Sequence, residues 1–207
     1  RVGSIADVFY FPDFLTEEEE TAVLRQVDAV PEGHPGWVVL RSRRLQCWGG
    51  RPGDNFRPEP LPPWLDTVCA SLADRGIFSR HRMPNHVLIN DYARGQGILP
   101  HTDGGYYYNL TATMSLASDA VMTFAPRLDA AQIGVSDAGP VQSLLLRRRS
   151  LVVFAGDAYA KFLHAVAAAD EEIVGKVAPC VNREAAAAED GEVVRRGRRV
   201  SLTIRHV

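Results

Sequence analysis

A histidine and an aspartate stand two positions apart in the stretch PHTDGG, at His101 and Asp103. Imidazole and carboxylate groups are both ligands that a divalent transition metal accepts. On a β-strand, side chains at positions i and i+2 share one face, so this pair would lie on one side of the chain and Thr102 on the other. By itself the stretch is equally typical of an acidic turn that contains a histidine. Metal binding therefore requires a third ligand from another part of the chain.

His164 is the best third ligand, because it lies in the strand-like apolar stretch YAKFLHAV, downstream of several short strands. A lone histidine in such a stretch is otherwise more typical of a buried core residue, so this interpretation depends on His101 and Asp103. Two histidines and one carboxylate would form a facial triad, which leaves coordination positions open for oxygen and a cosubstrate. The other histidines lie in loops, upstream of the pair or near the end of the sequence: His34, His81, His86 and His206.

The final strand-like segment, RRVSLTIRHV, carries Arg199 and Arg205 six positions apart, on the same face as Ser201 and Thr203. Two arginines that face the inside of a β-structure are costly unless an anion neutralises them. A dicarboxylate meets that need, because one carboxylate can chelate a metal while the other accepts a bidentate arginine fork. Two residues on one face of the earlier segment HVLINDY offer further hydrogen-bond donors: Asn90 and Tyr92.

Two helices are predicted before these segments, and between them a short strand from Trp37 followed by a Gly/Pro-rich loop with exposed arginines. The first begins at Thr16, which forms a capping box with Glu19, and the second covers residues 61–76, with prolines at its start and Gly76 at its end. From residue 86 onward the pattern changes to short β-rich segments, which favour a sandwich or barrel over a parallel sheet. The alanine-rich segment 182–197 is predicted to be a mobile excursion. The strands are predicted at 86–92, 111–117, 120–125, 141–148, 150–155 and 199–207, with shorter ones at 99–103 and 161–167.

Together these residues resemble the AlkB family of Fe(II)/2-oxoglutarate-dependent dioxygenases, from FYFPDFLTEEEE to the end of the sequence. The tyrosine, glycine and His-x-Asp pattern is shared with prolyl hydroxylases. Two arginines six positions apart around a Ser/Thr-rich centre are more specific to the AlkB type. The matching residues are Asn90, Tyr92, Gly95, His101, Asp103, His164, Arg199, Ser201, Thr203 and Arg205.

The resemblance implies a mainly β fold with flanking α-helices, built on a double-stranded β-helix, or jelly-roll, core. We expect a single domain over residues 1–207, with N-terminal helices and recognition loops at 1–85 and the jelly-roll core at 86–207. The implied cofactors are Fe(II), 2-oxoglutarate as cosubstrate, and O2. The implied metal ligands and catalytic residues are His101, Asp103 and His164, and the implied cosubstrate-binding residues are Asn90, Tyr92, Arg199, Ser201 and Arg205.

The resemblance further implies oxidative demethylation of N-alkylated nucleic acid. Repair members of the family carry an acidic residue two positions after the metal aspartate, and that residue helps to read the base, whereas this sequence has Gly105 there. Two alternatives stay open: a dioxygenase that acts on a protein side chain, and a non-catalytic nucleic-acid-binding module. The side chains that could contact phosphates or stack on bases are the arginine clusters at 41–44 and 147–149 and the aromatic residues Trp48, Tyr106, Tyr107 and Tyr108.

Composition narrows the class of protein. A net charge of −2 argues against a strongly basic nucleic-acid coat protein, and 46% hydrophobic with 23% charged residues is typical of a globular domain. Three cysteines without a CxxC spacing favour a reducing, intracellular compartment, the nucleus or the cytoplasm. No apolar run is long enough to span a bilayer, and we expect a monomer.

Overall fold

The computed structural model describes residues 1–34, 36–128 and 139–207. Seven strands form a larger antiparallel sheet in these ranges: β1 (Val8–Phe11), β2 (Val38–Leu40), β3 (Arg43–Trp48), β4 (His86–Tyr92), β6 (Leu110–Leu116), β9 (Leu151–Ala155) and β13 (Arg199–Arg205). Their order in space is β1-β9-β6-β13-β4-β3-β2, so the last strand of the chain lies in the middle of the sheet.

A smaller antiparallel sheet packs against the larger one. Its described strands are β5 (Ile98–His101), β7 (Ala120–Pro126), β8 (Gln142–Leu146) and β10 (Phe162–Val166), in the spatial order β5-β10-β7-β8. Buried side chains from both sheets, such as Leu144 and Phe154, meet in one apolar cluster. A separate hairpin joins β11 (Glu171–Ile173) to β12 (Val193–Arg195). Two facing antiparallel sheets confirm the predicted jelly-roll arrangement.

Helices α1 (Glu17–Asp28) and α2 (Pro63–Asp74) cover the outer face of the larger sheet. The short α3 (Gly156–Lys161) instead contributes Ala158 and Tyr159 to the apolar cluster between the sheets, and one turn of 3-10 helix spans Arg80–Arg82. The capping box of α1 is present, because Thr16 Oγ1 accepts from the Glu19 backbone N–H at 3.1 Å and the Glu19 carboxylate accepts from the Thr16 N–H at 2.8 Å. Such a cap contributes about 1 kcal/mol of helix stability. None of the helices in the described ranges has the length and apolarity needed to cross a membrane.

Strand β13 divides its side chains between the helices and the interior of the sandwich. Val200, Leu202 and Ile204 belong to the apolar cluster that includes residues of α1 and α2. The alternate residues, the Arg-Ser-Thr-Arg series from Arg199 to Arg205, line a cavity between the sheets. The period-two alternation of a strand therefore separates a hydrophobic face from a polar face on one seven-residue segment.

Three features differ from the sequence predictions. Strands β1 and β3 arise from segments that were not predicted as strands, whereas β2 coincides with the short strand predicted after Trp37, and all three join the larger sheet. Helix α3 was not predicted. The predicted mobile excursion at 182–197 is wrong, because Asn182 is buried and bonds to the backbone of Leu145 at 2.9 Å, while Ala186 and Val194 are also buried. Small alanine side chains allow this polar segment to pack closely on β8.

Candidate active site

A cavity of about 270 Å³ lies between the two sheets. The smaller sheet and the loop after β5 contribute Ile98, His101, Thr102, Asp103, Tyr107, Met122, His164 and Val166. The larger sheet contributes Arg43, Leu88, Asn90, Tyr92, Thr113, Arg199, Ser201, Thr203 and Arg205. The structure thus brings all eight residues that the sequence singled out for metal and cosubstrate into one cavity.

The three expected metal ligands meet at one end of this cavity. His101 and His164 are register partners on the neighbouring antiparallel strands β5 and β10, and their rings lie 4.3 Å apart. Asp103 follows two residues after the end of β5, and one potential ligand atom from each residue lies within 4.8 Å of the others. Thr102 also lines the cavity, contrary to the expected alternation, because the chain leaves the strand after His101.

Hydrogen bonds hold these three side chains in place. The Nδ1 atom of His101 lies 2.8 Å from the carbonyl oxygen of Leu99, which leaves Nε2 free to bind a metal. The hydroxyl of Thr111 donates to Asp103 Oδ2 at 2.5 Å, so Oδ1 is the oxygen that stays available. The hydroxyl of Tyr159, on α3, donates to the carbonyl oxygen of Gly104 at 2.6 Å and fixes the loop after the aspartate.

The electrostatic environment keeps the ligands in their metal-binding forms. Burial raises the pKa of the Asp103 carboxyl, but the positive charge of Arg205, with further contributions from the two neighbouring histidines and the Thr111 hydrogen bond, outweighs burial, so this pKa lies below its usual value. Arg205 Nη1 lies 3.4 Å from Asp103 Oδ1. Burial lowers the pKa of His164 to about 4, which leaves its ring neutral at pH 7. Neutral imidazole and ionised carboxylate are the forms that bind a metal.

At the other end of the cavity, Arg199 is a buried cation that lacks a carboxylate partner in the described part of the chain. Its side chain is 1% exposed, donates to Ser115 Oγ at 2.8 Å and lies 5.6 Å from the centre of the Tyr92 ring. Burial lowers the pKa of Arg199 to about 10. The Nε atoms of Arg199 and Arg205 are both buried without a hydrogen-bond partner. Such groups are costly unless an anion reaches them.

The donor set fits ferrous iron and a dicarboxylate. Two imidazole nitrogens and one carboxylate oxygen form the ligand combination of facial non-haem iron sites. Arg199 and Arg205 line the same cavity as these ligands, so a dicarboxylate bound there would bring anionic acceptors to their guanidinium groups. Asn90 adds a donor, because its Oδ1 accepts from Arg43 Nε at 2.7 Å and its amide nitrogen has no partner among the residues that the structure describes.

Several site residues were missed at the sequence level. Thr111, Thr113 and Ser115 alternate along β6, and they contact Asp103, the cavity and Arg199 respectively. Their polar period of two within TATMSL, beside the similar Ser201 and Thr203 of β13, was a signal that could have revealed them. No sequence pattern indicated Tyr159, because its hydrogen bond to Gly104 depends on where α3 packs.

The arginines of the two clusters differ in their contacts. In the cluster 41–44, Arg43 lines the cavity, whereas Arg44 pairs with Asp91 at 2.8 Å and stacks on Trp37. The cluster 147–149 is held in ion pairs by acidic residues of the same chain, so its charges are largely neutralised locally. These partners are Asp119 and Glu192 for Arg147, Glu20 for Arg148, and Asp13 and Glu17 for Arg149.

The four candidate aromatic residues occupy different positions. Tyr107 lines the cavity, and the Arg205 guanidinium lies 4.1 Å from the centre of its ring. Tyr108 is 43% exposed, and the Arg82 guanidinium lies 4.2 Å from its ring centre. Tyr106 is exposed, while Trp48 packs against the helix-side core and donates to Gln46 at 2.9 Å. Tyr107 and Tyr108 are therefore adjacent residues of which the first lies in the cavity wall and the second at the protein surface.

Comparison with known proteins agrees with this site. The sequence profile of the 2OG-Fe(II) oxygenase superfamily matches residues 7–205. The chain is 36% identical over 206 residues to the probable RNA/DNA demethylase ALKBH6 of Danio rerio, covering 97% of this chain and 85% of that protein. It is 27% identical over 226 residues to the alkylated DNA repair protein ALKBH8 homolog of Arabidopsis thaliana, covering 99% of this chain and 59% of that protein. Residues 101–124, HTDGGYYYNLTATMSLASDAVMTF, are similar to the sixth mammalian AlkB homologue, and the first match agrees with that likeness.

Two solved structures share the fold. The structure of OsALKBH1 superimposes with a TM-score of 0.64 at 17% identity, covering 99% of this chain and all of that chain (100%). An oxidoreductase of the 2OG-Fe(II) oxygenase family from Burkholderia pseudomallei superimposes with a TM-score of 0.56 at 15% identity, covering 96% of this chain and 83% of that chain. At these identities the likeness concerns the fold, and it supports the jelly-roll assignment.

Proposed function

The chain belongs to the 2OG-Fe(II) oxygenase superfamily, and from this premise we propose that it oxidatively demethylates N-alkylated nucleic acid. It is an Fe(II)- and 2-oxoglutarate-dependent dioxygenase. The proposal about substrate is supported by its similarity to a protein described as a probable RNA/DNA demethylase. When bound, iron, 2-oxoglutarate and O2 would supply the hydroxylation of a substrate C–H bond, with 2-oxoglutarate converted to succinate and CO2, and a hydroxylated N-methyl group would then lose formaldehyde.

The residues of this chain bind and orient the reactants. His101, Asp103 and His164 would hold the iron, with Thr111 and the Leu99 carbonyl keeping the first two in position. Second-sphere bonds of this kind tune metal affinity. Arg199, deep in the cavity, would bind the far carboxylate of 2-oxoglutarate. Four further residues would complete the cosubstrate pocket: Asn90, Tyr92, Ser201 and Arg205.

The observation that carries the nucleic-acid proposal is the adjacency of Tyr107 and Tyr108. The first lines the cavity, and the second is exposed beneath the guanidinium of Arg82. An aromatic ring beside a cation suits the stacking of a base and the binding of its phosphate. A base that leaves its stack to enter the cavity would pass this pair.

The test is to measure succinate and formaldehyde formation with Fe(II), 2-oxoglutarate and methylated single-stranded oligonucleotides. Methylated oligonucleotides should stimulate turnover over their unmethylated counterparts. Replacing Tyr108 by alanine should raise the oligonucleotide KM about 10-fold, because base stacking contributes roughly 1–3 kcal/mol. The control is Phe11→Ala, which removes another partly exposed aromatic residue, on β1.

Failure of every methylated oligonucleotide to stimulate turnover would refute the proposal. Stimulation by methylated peptides in the same assay would instead favour a protein side chain as substrate. Equal effects of the Tyr108 and Phe11 variants on the oligonucleotide KM would show that the substrate does not stack on Tyr108.

A further inference from the structure

The site cavity holds more positive charge than the metal and cosubstrate require. Three arginines line it, Arg43, Arg199 and Arg205, whereas Asp103 is the one acidic residue in its described lining. Ferrous iron adds two positive charges and 2-oxoglutarate brings two negative charges, so their binding leaves the cavity's excess of positive charge in place. An excess of like charge in a partly enclosed site attracts an anionic ligand.

Arg43 differs from the other two arginines in its position. Arg199 and Arg205 are 1% and 3% exposed, whereas Arg43 is half-buried on β3 at the rim of the cavity. Its side chain reaches toward β4, where Nε donates to Asn90 Oδ1 at 2.7 Å. A substrate that enters from solvent meets the rim first, so Arg43 is the cation best placed to contact it.

Among the described residues, the terminal nitrogens of Arg43 have few partners. One of them approaches Ser42 Oγ at 3.5 Å, and no carboxylate in the described part of the chain forms an ion pair with Arg43. The adjacent Arg44 is occupied by Asp91 and Trp37. The Nε bond to Asn90 therefore holds the Arg43 guanidinium in place while its fork stays available.

We propose, on the basis of the proposed function, that Arg43 binds an oxyanion of the target nucleotide and makes the enzyme selective for anionic over neutral nucleosides. The oxyanion is either the phosphate of that nucleotide or a carboxylate on its base. Between turnovers, leaving a half-buried guanidinium without an anion costs less free energy than leaving a fully buried one without an anion, because water still reaches the half-buried group. Gly105 lacks a side chain, so no carboxylate at that position repels the anion.

The test compares three probes: an N-methylated nucleoside, its 5′-monophosphate, and the same nucleoside with a carboxymethyl group on the base. Each is titrated by calorimetry, without O2, into protein loaded with Mn(II) and 2-oxoglutarate. At least one anionic probe should bind about 10- to 100-fold more tightly than the neutral one, as expected for a charge-assisted hydrogen bond. The anionic probe that binds more tightly than the neutral one shows whether the oxyanion is the phosphate or the carboxylate.

The Arg43→Gln variant should remove this preference while the neutral probe binds as before. Arg43→Lys should restore part of it, because lysine keeps the charge but not the planar fork. Arg25→Gln is the matched control, since it removes an exposed arginine from α1 and should keep the preference.

Four results would overturn the inference. Equal weakening of all three probes in Arg43→Gln would mean a structural role, and a weakened affinity for 2-oxoglutarate would make Arg43 a cosubstrate residue. A wild-type protein that binds the probes without preferring an anion would remove the inference but leave the proposed function standing. Absence of binding by all three probes to the wild type would count against both.

Discussion

His101 and His164 lie directly opposite each other on antiparallel strands, although a long stretch of sequence separates them. The register between β5 and β10 therefore determines whether two metal ligands meet. A slip of one residue in this pairing would turn His164 to the other face of the sheet. On its other side, β10 pairs with β7 through five consecutive residue pairs, which holds the register firmly.

Replacing His164 or His101 by alanine should weaken binding of Fe(II) or Mn(II) by more than about 100-fold, since changes outside the ligand set alone cost 10- to 100-fold. The control is His81→Ala, which removes an exposed histidine from the short 3-10 helix. Calorimetric metal titration of the three variants provides the measurement. A loss of affinity in His81→Ala as large as in His164→Ala would contradict this site.

Tyr159→Phe should weaken metal binding about 10-fold with little loss of stability. The substitution removes the hydroxyl that donates to the Gly104 carbonyl, and the loop that carries Asp103 becomes less fixed. Because Gly104 is exposed, water can replace the hydroxyl, so the free energy of unfolding should fall by less than about 1 kcal/mol. Tyr106→Phe, on an exposed ring, is the control for metal titration and thermal melting. An unchanged metal affinity in Tyr159→Phe would rule out this positioning role.

Arg199→Met should strongly weaken 2-oxoglutarate binding without destabilising the protein. The variant removes a buried charge that has no carboxylate partner in the described residues, and because such a charge is costly to bury, its removal should not lower the free energy of unfolding. The affinity for 2-oxoglutarate in the presence of Mn(II) should fall by about 100-fold or more. Calorimetry gives the affinity and thermal unfolding gives the stability.

Arg196→Met provides the contrast for that variant. Arg196 is also buried, but it pairs with Glu172 at 2.8 Å, so its loss leaves a carboxylate uncompensated. This variant should lose roughly 3–5 kcal/mol of stability. A similar loss of stability in Arg199→Met would mean that Arg199 is satisfied within the protein and does not await an anion.

Stability should fall as the pH is lowered from about 6.5 to 4, in part because of His86. Burial, helped by the charge of Arg205, lowers the pKa of this side chain from 6.5 to about 4. Between these pH values the unfolded chain binds more protons than the folded chain, so acid favours unfolding. The full contribution is at most roughly 3 kcal/mol. His86→Gln should make the dependence of unfolding free energy on pH shallower, and the exposed His81→Gln should not. Equal slopes in all three proteins would show that His86 does not titrate in this way.

Much of the local structure could be predicted from short-range patterns. Local residue preferences predict three features of the fold: the capping box at Thr16, the proline start of the second helix and the strand that begins at His86. The polar alternation of the last strand already placed Arg199 and Arg205 on one face. The N-terminal strands were harder, because β1 is a short segment whose strand partner β9 and core neighbours lie far away in the sequence.

The sequence by itself determined the chemistry of the site: which residues could bind iron, and that two inward arginines would need an anion. Only the tertiary structure decided which polar groups serve that chemistry and which serve the fold. The arginines at 43 and 44 are adjacent, yet one faces the cavity and the other is held by Asp91. The same holds for Tyr107 and Tyr108, of which one lines the cavity and one lies at the surface. The physical reason is that the free energy of a charged or aromatic side chain depends on the partners brought to it by distant strands, and sequence spacing does not encode those partners.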